Sequence, residues 1–109
     1  MLSLRIQKQM DMTIYLKNTK RILRKLKPSL ASIYHVDTIG LFGSIVRDDF
    51  VPDSSDVDIV VNFSQPIGVE FIDLSCLLEK ELNRKVDIVS LKGLKDKYFK
   101  EIEKEIVYV

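Results

Sequence analysis

Asp56-Val57-Asp58-Ile59-Val60-Val61-Asn62-Phe63 constrains this chain more than any other stretch. Acids are depleted from strands and rarely buried, yet two stand at alternate positions at the head of an otherwise apolar, β-branched run. On a strand, residues two apart project to one face, so Asp56 and Asp58 hold their oxygens toward one point while Val57 and Ile59 enter a core. The run therefore reads as a largely buried strand with a polar entry end. Two further runs match it. Thr38-Ile39-Gly40-Leu41-Phe42 is a short β-compatible stretch ending at Gly43-Ser44, and Lys85-Val86-Asp87-Ile88-Val89 places one more acid between apolar neighbours.

Helical periods lie between these runs. Ile22, Leu23, Leu26 and Leu30 recur at helical spacing, with Lys20, Arg21, Arg24, Lys25 and Lys27 on the other side. Pro28 is expected to break that helix, giving a second short one at about Pro28–Tyr34, with His35 at its end in a surface or capping role. Residues 69–82 carry Val69, Phe71, Ile72, Leu74, Leu77, Leu78 and Leu82, which fits a broadly buried helix stopped at Asn83-Arg84. After Gly93 a last helix is expected at about Leu94–Lys104, and Ile106-Val107-Tyr108-Val109 adds an edge strand or docks. Residues 1–16 leave strand, helix and disordered arm open and are treated as an N-terminal extension; residues 17–109 form the domain. Strands alternating with helices give an α/β or α+β fold with helices packed on a small sheet.

The chain's 109 residues and 46% hydrophobic content suit one domain whose core needs no disulfide or structural metal. Cys76 is the single cysteine and is expected to pack in the core. No stretch is long and apolar enough to span a membrane, so a soluble, cytoplasmic protein is expected. Residues 1–36 hold eight Lys/Arg against one acid, whereas residues 37–109 hold nine against fifteen. The basic helix face suits either a polyphosphate, nucleic-acid or acidic partner or ordinary solvation. Asp48, Asp49, Asp53, Asp56 and Asp58 make residues 48–58 a segment that wants cations.

Gly43 lets backbone approach a phosphate closely, Ser44 offers a hydroxyl and an N–H, and Ile45-Val46-Arg47 can wind a helical turn whose free N–H groups face an anion. Arg47 either clamps a phosphate or pairs with Asp48 or Asp49. Asp56 and Asp58 form a Mg²⁺ bracket that Asp87 completes from a neighbouring strand. Carboxylates this close repel one another unless a cation intervenes.

Gly43-Ser44, Asp56-x-Asp58 and Asp87 together resemble the signature of the DNA-polymerase-β-like nucleotidyltransferase superfamily, in its minimal, MNT-type form. The likeness runs from about Lys20 to Val109 and includes Pro66-Ile67-Gly68-Val69-Glu70-Phe71, Arg84-Lys85-Val86-Asp87-Ile88-Val89 and the Ile106–Val109 stretch. It implies a mixed three-stranded sheet flanked by about four helices, with ATP as substrate and two Mg²⁺ ions. Asp56, Asp58 and Asp87 would be the catalytic and metal-binding residues, Asp87 also drawing the acceptor proton. Gly43, Ser44 and Arg47 would bind the nucleotide. MNT-type proteins commonly partner HEPN toxins and transfer AMP to a toxin tyrosine, so the resemblance implies an antitoxin enzyme. A non-catalytic antitoxin acting by complex formation is the alternative, and homo- or hetero-oligomers fit either. Ile45–Ser55 puts eleven residues between Gly-Ser and Asp56, one more than is usual, and Asp48 stands where a Gly often follows the Arg.

Overall fold

The computed structural model describes residues 4–47 and 49–109, with side chains described from Ile14 onward. The elements in chain order are α1 (Leu4–Tyr34), β1 (Val36–Phe42), a 3₁₀ turn (Gly43–Ile45), β2 (Val57–Phe63), α2 (Glu70–Leu82), β3 (Val86–Ser90), a second 3₁₀ turn (Leu91–Gly93), α3 (Asp96–Ile102) and β4 (Val107–Tyr108). The strands form one sheet in the order β3-β2-β1-β4. β1 runs antiparallel to β2 and to β4, while β2 and β3 are parallel, joined through α2 as parallel strands require.

Period-two alternation divides the sheet residues between two layers. Ile39, Leu41, Val57, Ile59 and Val61 meet Leu23 and Leu30 of α1 and Leu74 and Leu78 of α2, all fully buried. Phe42 and Val60 point the other way and pack on Ile102 of α3, with Val89, Leu94 and Ile106 around them. The sheet is thus sandwiched between a thick α1/α2 layer and the short α3. α3 leaves the entry end of β2 open on its own side, and there the acids emerge.

The expected three-stranded sheet is a four-stranded one, because β4 pairs its two residues with Gly40 and Leu41. That pairing explains Gly40: a Cβ there would lie 2.7 Å from Ile106 Cγ2. The expected four or so helices are, among the described residues, three α-helices and two 3₁₀ turns. Pro28 does not break α1. The acceptor its missing N–H leaves unused is the Arg24 carbonyl, on an exposed face, while Leu23 and Leu30 anchor the helix to the core on either side. Packing overrides the local signal. The chain left open at residues 1–16 is helical from Leu4, and Tyr15 and Leu16 join the core. Tyr15 packs its ring 5.7 Å from that of Phe50, the fully buried anchor of the acidic loop.

The stops of α1 and α2 use left-handed residues: His35 (φ 58°) follows α1, and Asn83 (φ 53°) caps α2. Within α2, Leu74, Leu78 and Leu82 are buried, but Ile72 and the preceding Val69 are exposed, narrowing the expected apolar face. Cys76 is exposed rather than in the core, since it lies outside the Leu74-Leu78-Leu82 stripe. No described helix is long and apolar enough to cross a membrane.

Candidate active site

Strand register assembles the site. β1 pairs Phe42 with Asp58, and β3 pairs Asp87 with Asp58, so the two acids sit on adjacent parallel strands at one level of the ladder. Val60 and Val89, two residues further on, face α3, so Asp58 and Asp87 share that side. Immediately after Phe42 the chain turns through Gly43 at φ 75° into the 3₁₀ turn. A Cβ at Gly43 would lie only 2.1 Å from Asp58 Oδ2. Glycine is required there twice, for the left-handed backbone and for room beside the carboxylate. Val46 and Arg47 donate their N–H groups to the Gly43 carbonyl at 3.1 and 3.2 Å, which closes the turn.

Asp58 is half-buried, and its pKa is pushed from 3.8 up to about 6. Burial is the largest cause, followed by the negative charges of Asp87 and Asp56; the Arg47 charge opposes them. Asp56, just ahead of β2, and Asp87 are both exposed. Among the described residues no three carboxylate, imidazole or thiol groups converge into a ready-made metal cage. The three acids are brought into one electrostatic neighbourhood, with Asp58 at its centre.

Arg47 is ion-paired to two acids. Its Nε donates to Asp49 Oδ1 at 3.3 Å and its Nη1 to Glu105 Oε2 at 3.3 Å. The Asp49 bond, with the Glu105 charge behind it, raises the guanidinium's already high pKa. Of the two acids suggested for Arg47, Asp49 is engaged; Asp48 lies outside the described residues. Glu105 also accepts the Gly43 N–H at 3.0 Å. One carboxylate from the turn before β4 thus holds both ends of the Gly43–Arg47 turn. No sequence pattern marks Glu105, because 62 positions separate it from Gly43 and only the β1/β4 pairing brings it back. Gly43, Arg47, Asp58, Tyr98, Glu101 and Glu105 surround a cleft of about 280 Å³. Tyr98 of α3 is 44% exposed on this cleft's wall.

A Gly-Ser turn packed against a half-buried aspartate, with further acids beside it on a mixed sheet, makes this the candidate site for nucleotidyl transfer. The chain belongs to the nucleotidyltransferase domain family, whose model matches residues 23–109. A protein adenylyltransferase of Thermococcus cleftensis, MntA, is 40% identical over 95 residues, covering 86% of this chain and 95% of the relative. A candidate protein adenylyltransferase of Methanocaldococcus jannaschii is 40% identical over 98 residues, covering 86% of this chain and 97% of the relative. Among solved structures, a candidate minimal nucleotidyltransferase superposes with a TM-score of 0.68 at 30% identity, covering 83% of this chain and 92% of the other. The fold is also shared with a toxin–antitoxin structure containing AMP-PNP, with a TM-score of 0.66 at 23% identity, covering 84% of this chain and 71% of the other. It recurs in the complex of a tri-AMPylated Shewanella oneidensis HEPN toxin with its MNT antitoxin, with a TM-score of 0.57 at 19% identity, covering 89% of this chain and 70% of the other.

Proposed function

We propose that this chain is an antitoxin enzyme that transfers AMP from ATP to a tyrosine hydroxyl of a HEPN-type partner toxin. The observation that carries the reading is Asp58, in register with Asp87 and packed against Gly43. The relatives named protein adenylyltransferase, similar to this chain over nearly their whole length, supply the reaction class.

Asp56, Asp58 and Asp87 are an all-oxygen donor set in which burial, and then the charges of Asp87 and Asp56, raise the Asp58 pKa, and this suits a hard divalent cation. These residues would hold Mg²⁺, with two ions expected for the triphosphate. Bound metal would supply charge neutralisation of the phosphates and of the departing pyrophosphate. Ser44 offers its hydroxyl and N–H to the phosphates. Gly43 keeps the Asp58 carboxylate clear, and Glu105 braces the turn through Gly43 and Arg47. In the transfer the acceptor oxygen bonds to the α-phosphorus, the bond from that phosphorus to the pyrophosphate oxygen breaks, and Asp87 takes the acceptor proton.

Labelled ATP, Mg²⁺ and the purified HEPN-type protein should yield labelled toxin, and an Asp56→Asn/Asp58→Asn chain should not label it. Undiminished labelling by that variant would overturn the site. Neutralisation that survives the double substitution without nucleotide would instead assign antitoxin action to complex formation.

A further inference from the structure

The Gly43 cleft has two ends. At one, the Gly43–Arg47 turn and Glu105 meet the Asp58 carboxylate; at the other stands one face of α3. Tyr98, Glu101 and Ile102 are three and four residues apart, so they share that face. Ile102 is buried with Phe42 and gives the cleft an apolar floor, whereas Tyr98 and Glu101 are exposed. Tyr98 lies one helical turn before Ile102, roughly 6 Å farther along α3 from the Glu105 end. From the turn outward, the face therefore presents a carboxylate and then an aromatic ring.

Both groups are uncommitted. Among the described residues the Tyr98 ring meets no other aromatic ring and no cation, and Glu101 makes no ion pair. The cleft between the acidic loop and the α2–β3 connection has no aromatic wall. The cleft holding Phe63 and Phe71 lies at the far end of β2 from Asp58, and those two rings pack on each other at 6.3 Å. Resting on the proposed adenylyl transfer, which puts the triphosphate at the Gly43 turn, we propose that α3 is the nucleoside-binding face: Tyr98 stacks on the base, and Glu101 accepts a hydrogen bond from the ribose 2′-hydroxyl. A nucleotide lying from the turn to α3 meets these groups in its own order of phosphate, sugar and base. The acids of the cleft suit that order. Glu105 is paired with Arg47, Asp58 faces the phosphates and their metal, and Glu101 meets an uncharged sugar whose hydroxyl donates to it.

Calorimetry with Mg²⁺ present measures the affinity of the wild-type chain and its variants for ATP, 2′-deoxy-ATP and inorganic tripolyphosphate. Tyr98→Ala should weaken ATP binding about tenfold, what one base stacked on an aromatic ring contributes, and Tyr98→Phe should keep most of the affinity. Wild type should bind 2′-deoxy-ATP about tenfold more weakly than ATP, the loss of one charge-assisted hydrogen bond, and Glu101→Ala should bind the two nucleotides equally. Tripolyphosphate, which has neither base nor ribose, should bind every variant as it binds wild type. ATP binding unchanged in Tyr98→Ala, a wild type indifferent to the 2′-hydroxyl, or tripolyphosphate binding lost along with ATP would overturn the assignment and leave the proposed transfer standing. Labelled AMP transfer to the HEPN-type protein, measured on the same samples, tests that transfer separately: its absence from a wild type that shows these affinities would overturn the transfer alone.

Discussion

Replacing Asp58 by Asn should make the protein more stable while abolishing transfer. The native state holds the Asp58 proton more tightly than the unfolded chain, with the pKa raised from 3.8 to about 6 by burial, Asp87 and Asp56. This group's contribution favouring the fold is complete below pH 3.8 and lost as pH rises through about 6. Above that, an ionised Asp58 opposes folding. At 1.36 kcal/mol per pH unit the full difference would be about 3 kcal/mol. Solvent screening of a half-exposed carboxylate reduces this to about 1 kcal/mol. Asn has the shape of the protonated acid and no charge, so Asp58→Asn should gain that ~1 kcal/mol at pH 7.5, about 4–8 °C in Tm for a domain near this size. Thermal and urea unfolding of both proteins from pH 4 to 8, with chelator present, would show a gap that narrows as pH falls from 6 toward 4. Mg²⁺ should close the gap from the other side by stabilising wild type alone. An Asn variant no more stable than wild type at pH 7.5, or a gap indifferent to pH, would refute the reasoning.

Gly43→Ala should cost about 100-fold in transfer rate, because its Cβ would displace the Asp58 carboxylate it meets at 2.1 Å; steady-state kinetics with folding checked by circular dichroism would show it. Arg84→Ala removes the cation stacked on Tyr15 and Phe50 and the bond to Pro52, so the urea midpoint should fall by the equivalent of about 1–2 kcal/mol. Glu105→Ala leaves the Gly43 N–H and the Arg47 guanidinium without their shared acceptor. It should lower stability by about 1–2 kcal/mol and weaken ATP binding, read by calorimetry, because the phosphate turn loses its brace.

Much of this molecule could be read from local pattern. The three long strands, α2, its Asn83 stop and the carboxylates on β2 and β3 all lie where alternation and periodicity put them, because each depends on neighbours in sequence. What escaped depends on distant partners. Pro28 carries a strong breaking signal, but Leu23 and Leu30 seat α1 in the core on both sides of it. Cys76 falls outside the leucine stripe by a rotation that composition does not reveal. β4 is two residues long, too short for any periodicity, and exists because β1 offers it an edge. Glu105 and Tyr98 line the candidate cleft through that same return of the chain, and Arg47's pairing with Asp49 was legible locally whereas its second acid, Glu105, was not.

The one-level pairing of Asp58 with both Phe42 and Asp87 has a consequence for how such a site tolerates change. The gap from Phe42 to Asp58 is measured by rungs of a ladder, and the connecting loop merely takes up slack. The chain between them leaves the sheet at one rung and rejoins it at the same rung, Phe50 pinning the loop to the core. Insertions between Arg47 and Ser55 are therefore nearly silent to the chemistry, whereas a one-residue slip of β2 would turn Asp58 to the wrong side and away from Asp87. A lineage can vary its rim freely while its catalytic gauge stays at one setting.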